Sequence, residues 1–165
     1  MRYAESYGYE AQEDESGIIE IAKRARKQGY LKKSEFVAIC EWKSKRPRKY
    51  YSANEPALIR EISKIVFSKD CGDEARIRLL MTLKGVKIRM ASAILHLTFL
   101  GDKDGYPIID FRVMRALTGR RFSDNDFTMP VWLEYTYFFR KMAKKFGIDM
   151  RTLDRALWSY DEEKN

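Results

Sequence analysis

The fold is decided by the stretch LKGVKIRMASAIL, residues 83–95, in which a short turn around Gly85 leads directly into an apolar helical segment. The preceding segment, residues 73–83, also spaces its apolar side chains at helical intervals. Two helices joined by so short a turn must form a hairpin. We therefore place a helix-hairpin-helix at about residues 76–100.

Helical spacing recurs through the rest of the 165 residues, and no stretch alternates apolar and polar side chains as a half-buried strand does. Proline and glycine are scarce, with 4 and 9 copies, so breaks are few. The sequence predicts an all-α fold, a compact domain of about seven to eight helices over residues 1–165. Besides the hairpin's second helix, the predicted helices begin near Ser16, Ser34, Asn54, Asp73, Asp110, Thr128 and Asp149. Ser16 and Asn54 are expected to cap the helices that they begin, and Gly29 is expected to close the first helix, since glycine suits the left-handed closing position.

The chain is basic, with 32 Lys and Arg against 24 Asp and Glu and a net charge of +8. Residues 1–16 and 161–165 together hold eight of the acids and only two of the bases, and we interpret them as acidic tails. The body is left with 30 bases and 16 acids. Such a surplus indicates a polyanionic partner without identifying it.

Several classes of protein are excluded by what the sequence contains. The two cysteines, Cys40 and Cys71, have no nearby Cys or His, which argues against a disulfide scaffold, a zinc site and an iron–sulfur cluster. No long apolar run and no charged-then-apolar N-terminus is present, so we expect neither a membrane partner nor a signal peptide. We expect a cytoplasmic, nucleoid-associated or otherwise intracellular protein.

The hairpin is followed by YPIIDFRV, residues 106–113. Together they resemble the HhH-GPD superfamily of DNA glycosylases, in which a helix-hairpin-helix precedes a Gly/Pro-rich loop and an aspartate. The resemblance covers roughly residues 76–118 and rests on a Leu-x-Gly-Val turn, the small residue Ala91, and Pro107 shortly before Asp110. It implies double-stranded DNA as the partner.

Two basic segments are candidate DNA contacts. A tight turn at a helix N-terminus presents unpaired amides and a positive dipole end to a phosphate, and lysines at its tip add charge. The second segment follows Trp42 and reads as a basic loop ended by aromatic residues, which suits a nucleic-acid surface or a pocket for an extruded base. The predicted DNA-binding residues are Lys84, Gly85, Val86, Lys87 and Arg89 in the hairpin and Lys43, Lys45, Arg46, Arg48 and Lys49 in the loop, with Trp42, Tyr50 and Tyr51 as base-pocket or stacking candidates.

The resemblance maps the family's catalytic aspartate onto Asp110, where the carboxylate would activate water and stabilise the positive sugar. Asp110 is also the expected N-cap of the helix that starts at Phe111. The chain departs from the family at Lys87, where a second glycine is usual, and at Arg89, where bifunctional members have a lysine. Because arginine cannot form a Schiff base, we expect a monofunctional glycosylase without lyase activity.

Other functions stay open at this stage. The alternative to a glycosylase in base excision repair is a non-catalytic duplex-DNA-binding module that retains the fold, and a second alternative is an RNA-binding or structural helical domain. No iron–sulfur or other metal cofactor is expected, although the resemblance allows a monovalent cation at the hairpin. His96, the only histidine, is expected to be a hydrogen-bonded, partly buried side chain rather than a ligand.

Overall fold

The computed structural model of the protein describes residues 9–102 and 104–164. These residues form helices and connecting segments without a strand, so the all-α prediction is confirmed. The helices are α1 (Tyr9–Gln28), α2 (Lys33–Lys43), α3 (Arg48–Ser52), α4 (Pro56–Phe67), α5 (Asp73–Leu80), α6 (Ile88–Thr98), α7 (Phe111–Thr118), α8 (Met129–Phe146) and α9 (Met150–Lys164), with a 3-10 turn at Asp124–Asp126 between α7 and α8.

Helix α6, the second helix of the predicted hairpin, lies at the centre of the core. Every residue of α6 except Arg89 is buried, which is the pattern of a helix packed on all sides. It contacts α1, α2 and α5. Its small residues 91–93 and the fully buried Ala22 and Ala25 of α1 suit a close approach of helices. The stretch that predicts the hairpin therefore also supplies the buried helix against which α1, α2 and α5 pack.

Local sequence signals located most helices but misplaced some boundaries. The first helix is already present at Tyr9, so Ser16 lies inside it instead of capping it. The predicted loop after Trp42 contains the short helix α3, which begins immediately after Pro47. Proline is tolerated at a helix start because its missing N–H has no partner in the first turn. This additional helix raises the number in the described residues above the predicted seven to eight.

The two acidic segments are not free tails where the structure describes them. Glu15 is 1% exposed, and its carboxylate pairs with Arg151 at 2.5 Å and Arg155 at 2.9 Å. Asp161 is equally buried and accepts two hydrogen bonds from Arg115, at 2.7 and 2.6 Å. These acids therefore hold α1, α7 and α9 together by pairing with arginines of the body.

Every helix in residues 9–102 and 104–164 is too short or too polar to cross a membrane.

Candidate functional site

The hairpin turn joins α5 to α6 and depends on a glycine. Gly85 has a φ of +83°, a region that side chains rarely adopt. A Cβ there would lie 2.8 Å from Cδ1 of Tyr51, too close without displacement of the ring. Lys87, where the resembled family has its second glycine, has a φ of −106° and is the N-cap residue of α6. A lysine is therefore accommodated without backbone strain.

Asn54, in the segment between α3 and α4, fixes the turn through its side chain. Its side-chain amide donates to the Lys84 carbonyl at 3.0 Å, and its carbonyl oxygen accepts from the Lys84 amide at 2.7 Å. The same amide group donates to the carbonyl of Tyr51 at 3.0 Å. The prediction that Asn54 caps α4 is wrong, because the N-cap residue is Glu55 and the Asn54 side chain is committed to the hairpin.

The segment that leads to Asp110 is anchored to two helices. His96 Nδ1 donates to the Tyr106 carbonyl at 2.7 Å, and the Ile109 amide donates to Ser92 Oγ at 3.2 Å. From α8, the Tyr135 hydroxyl donates to the Ile108 carbonyl at 2.8 Å. His96 is therefore a buried structural residue. Burial and the nearby charge of Arg151 lower the pKa of His96 to about 4, so the imidazole is neutral near pH 7.

Asp110 has both carboxylate oxygens engaged. Oδ1 accepts from the Val113 amide at 3.0 Å, which makes Asp110 the N-cap of α7 as predicted. Oδ2 lies 3.1 Å from Nζ of Lys43, the last residue of α2. The two side chains are partly buried, 16% exposed for Asp110 and 21% for Lys43. An amine and a carboxylate that are distant in sequence thus form one ion pair at the edge of solvent.

A cleft of about 860 Å³ opens beside this ion pair. Ligand sites commonly have volumes of about 300–1,000 Å³, so the cleft is large enough for a nucleoside. Its walls are the segment of residues 43–51, the hairpin turn and the start of α7. Five basic side chains against two acidic ones give it a positive surplus. The charged lining residues are Lys43, Lys84, Lys87, Arg89 and Arg112, with Asp110 and Asp124.

The predicted site residues divide into two groups in the structure. The hairpin residues 84–87, together with Arg89, Lys43, Tyr50 and Asp110, border the same cleft. Of the aromatic candidates, Tyr50 is 51% exposed and is accessible for stacking. Tyr51 is fully buried against Gly85, so its ring is part of the cleft wall and offers no stacking surface. The predicted residues that do not line the cleft are Trp42, which packs against the core, and Lys45, Arg46, Arg48 and Lys49, which are exposed.

Arg89 borders the cleft from the first turn of α6. Its guanidinium pairs with Asp124 at 2.5 Å and lies 4.1 Å from the centre of the Phe111 ring. The side chain is therefore held by a carboxylate and an aromatic face instead of projecting freely toward solvent. Phe111 and Trp158, which also line the cleft, were not among the predicted aromatic candidates. Phe111 could have been identified from the sequence as a candidate lining residue, because it directly follows Asp110.

A buried charge cluster lies behind Asp110. Arg151 pairs with Asp154 and with Glu15, and all three are buried. Burial raises the pKa of Asp154 to about 6, with a further increase from the Asp110 carboxylate, while Arg151 and Lys43 act in the opposite direction. The charges of Lys43, Asp110 and Asp154 are therefore coupled, and the site has an ionisable group beneath it that the sequence pattern did not indicate.

Comparison with known proteins gives no matching family model, no matching curated protein and no matching solved structure.

Proposed function

We propose that this protein binds duplex DNA across the hairpin and excises a base from it, with Asp110 as the catalytic carboxylate. The observation that carries the proposal is the convergence of Asp110, the lysine-tipped hairpin and the segment 43–51 on one positively charged cleft. A DNA glycosylase must hold an extruded nucleotide in a pocket and place a carboxylate beside its sugar. A cleft of this volume and lining can provide both.

The proposed reaction breaks the N-glycosidic bond and adds water at C1′ of the sugar. Asp110 is suited to stabilise the positive charge on the sugar and to take a proton from the attacking water. The leaving base takes the electron pair of the broken bond. The reaction needs water and a carboxylate, so we propose no metal or redox cofactor. Arg89 cannot form a Schiff base, and the hairpin helix therefore offers no lyase nucleophile.

The test is base release from a panel of modified duplexes, read as strand breaks after alkali treatment. Asp110→Asn should lower the rate by about 10²–10⁴-fold, the usual range for loss of a general acid or base. The amide retains an oxygen that can cap α7, so the fold should persist. Asp124→Asn is the matched control because it removes the other carboxylate of the cleft. An Asp110→Asn protein with full activity would refute the catalytic assignment.

A non-catalytic duplex-DNA-binding module is the second candidate. It is favoured by the engagement of both Asp110 oxygens, one by the Val113 amide and the other by Lys43. This candidate predicts no base release from any substrate and unchanged DNA affinity in Asp110→Asn. A glycosylase releases a base from at least one of the duplexes, so the same panel distinguishes the two candidate functions.

A further inference from the structure

Lys43 occupies a chemically distinctive position among the lysines of the cleft. Its Nζ contacts the Asp110 carboxylate, whereas Nζ of Lys84 lies 3.4 Å from the Ala53 carbonyl and Lys87 is exposed. Helix α2 fixes the base of the side chain, because Trp42 packs against the core and the Ser44 amide bonds the Cys40 carbonyl at 2.9 Å. A carboxylate in contact with an amine can accept its proton as a general base, and the neutral amine can then attack a carbonyl carbon bound at the edge of the cleft.

We propose that Lys43 is a Schiff-base nucleophile that acts on the aldehyde of an abasic site, so that this protein also cleaves the DNA strand. The inference rests on the proposed function, because base release is what generates the aldehyde in this cleft. It reverses the expectation of no lyase activity, which considered only the position of Arg89. The amine is supplied from α2, 67 residues before Asp110, and not from the hairpin helix.

The proposed step balances without an oxidant or reductant. Lys43 gives up a proton, for which Asp110 Oδ2 at 3.1 Å is the nearest acceptor, and the neutral amine adds to C1′. The carbonyl oxygen is protonated and leaves as water, which gives a protonated imine. Loss of a proton from C2′ then breaks the C3′–O bond, and the 3′ phosphate leaves with the electron pair. Water hydrolyses the imine and frees Lys43 together with an unsaturated aldehyde.

The other cleft cations are less suited to this step. The guanidinium of Arg89 cannot form an imine and is already paired with Asp124. Lys84 and Lys87 lie at the tip of the hairpin, where their charge is available to a phosphate. Asp110 would then serve both steps, first beside the sugar cation and then as the proton acceptor of Lys43.

The experiment uses the full chain and a synthetic duplex that contains a preformed abasic site, with sodium borohydride to reduce any imine to a stable amine. The wild type should give a covalent protein–DNA adduct, and peptide mapping should place it on Lys43. Lys43→Arg keeps the charge opposite Asp110 but cannot form the imine, and should lower the adduct yield by at least about tenfold. Lys64→Arg, at an exposed lysine of α4 that does not line the cleft, is the matched control and should trap like the wild type.

Several results would overturn the proposal. They are the absence of an adduct with the wild type, an adduct mapped to another residue, and equal trapping by Lys43→Arg. Thermal melting of each variant separates loss of the fold from loss of the amine.

The preformed abasic site makes this test independent of base excision. Base release without trapping would support the proposed glycosylase and refute the proposed lyase. Trapping on Lys43 without base release from any duplex would support the lyase and refute the glycosylase. If both activities are present, Lys43→Arg should lower spontaneous strand cleavage by a larger factor than it lowers the yield of alkali-labile sites, which separates the two steps.

Discussion

Replacement of Gly85 by alanine is the most direct test of how the hairpin turn is built. At a φ of +83°, an L-residue costs about 1–2 kcal/mol. The new Cβ would also lie 2.8 Å from Cδ1 of Tyr51 and 3.0 Å from Cβ of Tyr50. Tyr51 is fully buried and cannot swing into solvent, so this crowding should cost a further ~1–3 kcal/mol. We expect Gly85→Ala to lower the free energy of unfolding by about 2–5 kcal/mol in total.

Gly119→Ala isolates the backbone contribution. Gly119 has a φ of +67°, and a Cβ there would meet nothing within 4 Å. Both substitutions reduce the entropy of the unfolded chain in the same way, so that effect cancels in the comparison. Urea unfolding followed by helical circular dichroism should show Gly85→Ala losing about 1–3 kcal/mol more than Gly119→Ala. In a Tyr51→Leu background, the smaller side chain leaves room for the new Cβ, so the difference in stability loss between Gly85→Ala and Gly119→Ala should be smaller. Equal losses of stability for the two substitutions in the wild-type background would refute the contribution of crowding against Tyr51.

Three further outcomes are expected. Asn54→Ala should destabilise the fold by about 2–3 kcal/mol in urea unfolding, since it removes the hydrogen bonds of the buried Asn54 side chain to the Lys84 amide and the Tyr51 carbonyl. Changing Lys84 and Lys87 to glutamine should flatten the salt dependence of DNA binding, measured by anisotropy, by about one unit of log–log slope per lost phosphate contact. An unchanged slope would count against that contact. The lowered pKa of His96 makes stability fall as pH drops from 6.5 to about 4, and the raised pKa of Asp154 makes it fall as pH rises from about 4 to about 6. His96→Gln should therefore abolish the loss of stability on lowering the pH that His96 contributes to the wild type. Asp154→Asn should abolish the loss of stability on raising the pH that Asp154 contributes. Chemical unfolding at a series of pH values measures both.

Features set by neighbouring residues were predictable from the sequence. The apolar spacing of residues 83–95 predicts a buried helix, and α6 is the most buried helix of the described chain. Asp110 was expected to cap the following helix, and its Oδ1 accepts from the Val113 amide. Gly29 closes α1 with a φ of +84°, as its place after a predicted helix indicated. Capping and helical period act within one or two turns, so one sequence suffices to identify them.

Features set by distant residues were not predictable in the same way. Asn54 looked like a cap because it precedes Glu-Pro, yet it bonds a turn 30 residues away. The pairing of Glu15 with Arg151 crosses 136 residues, and no local pattern distinguishes such an acid from one in a free tail. In the sequence, Lys43 is one of five cations in the basic segment of residues 43–49, and no local pattern distinguishes it from the other four. The tertiary structure distinguishes it from Lys45 and its neighbours, because Nζ of Lys43 contacts the Asp110 carboxylate.

The chemistry that we propose for the cleft depends on which cation lies beside Asp110, and the fold determines which one this is. Arg89 follows the hairpin turn closely in sequence, but its charge is taken up by Asp124 and the Phe111 ring. The cation that pairs with Asp110 is Lys43, which comes from another helix. Because catalytic groups are defined by their mutual geometry and not by their order in the chain, an arginine on the hairpin helix does not exclude an amine at the site. A chain that lacks the expected lysine can therefore retain a Schiff-base route, provided that another helix end delivers an amine to the same carboxylate.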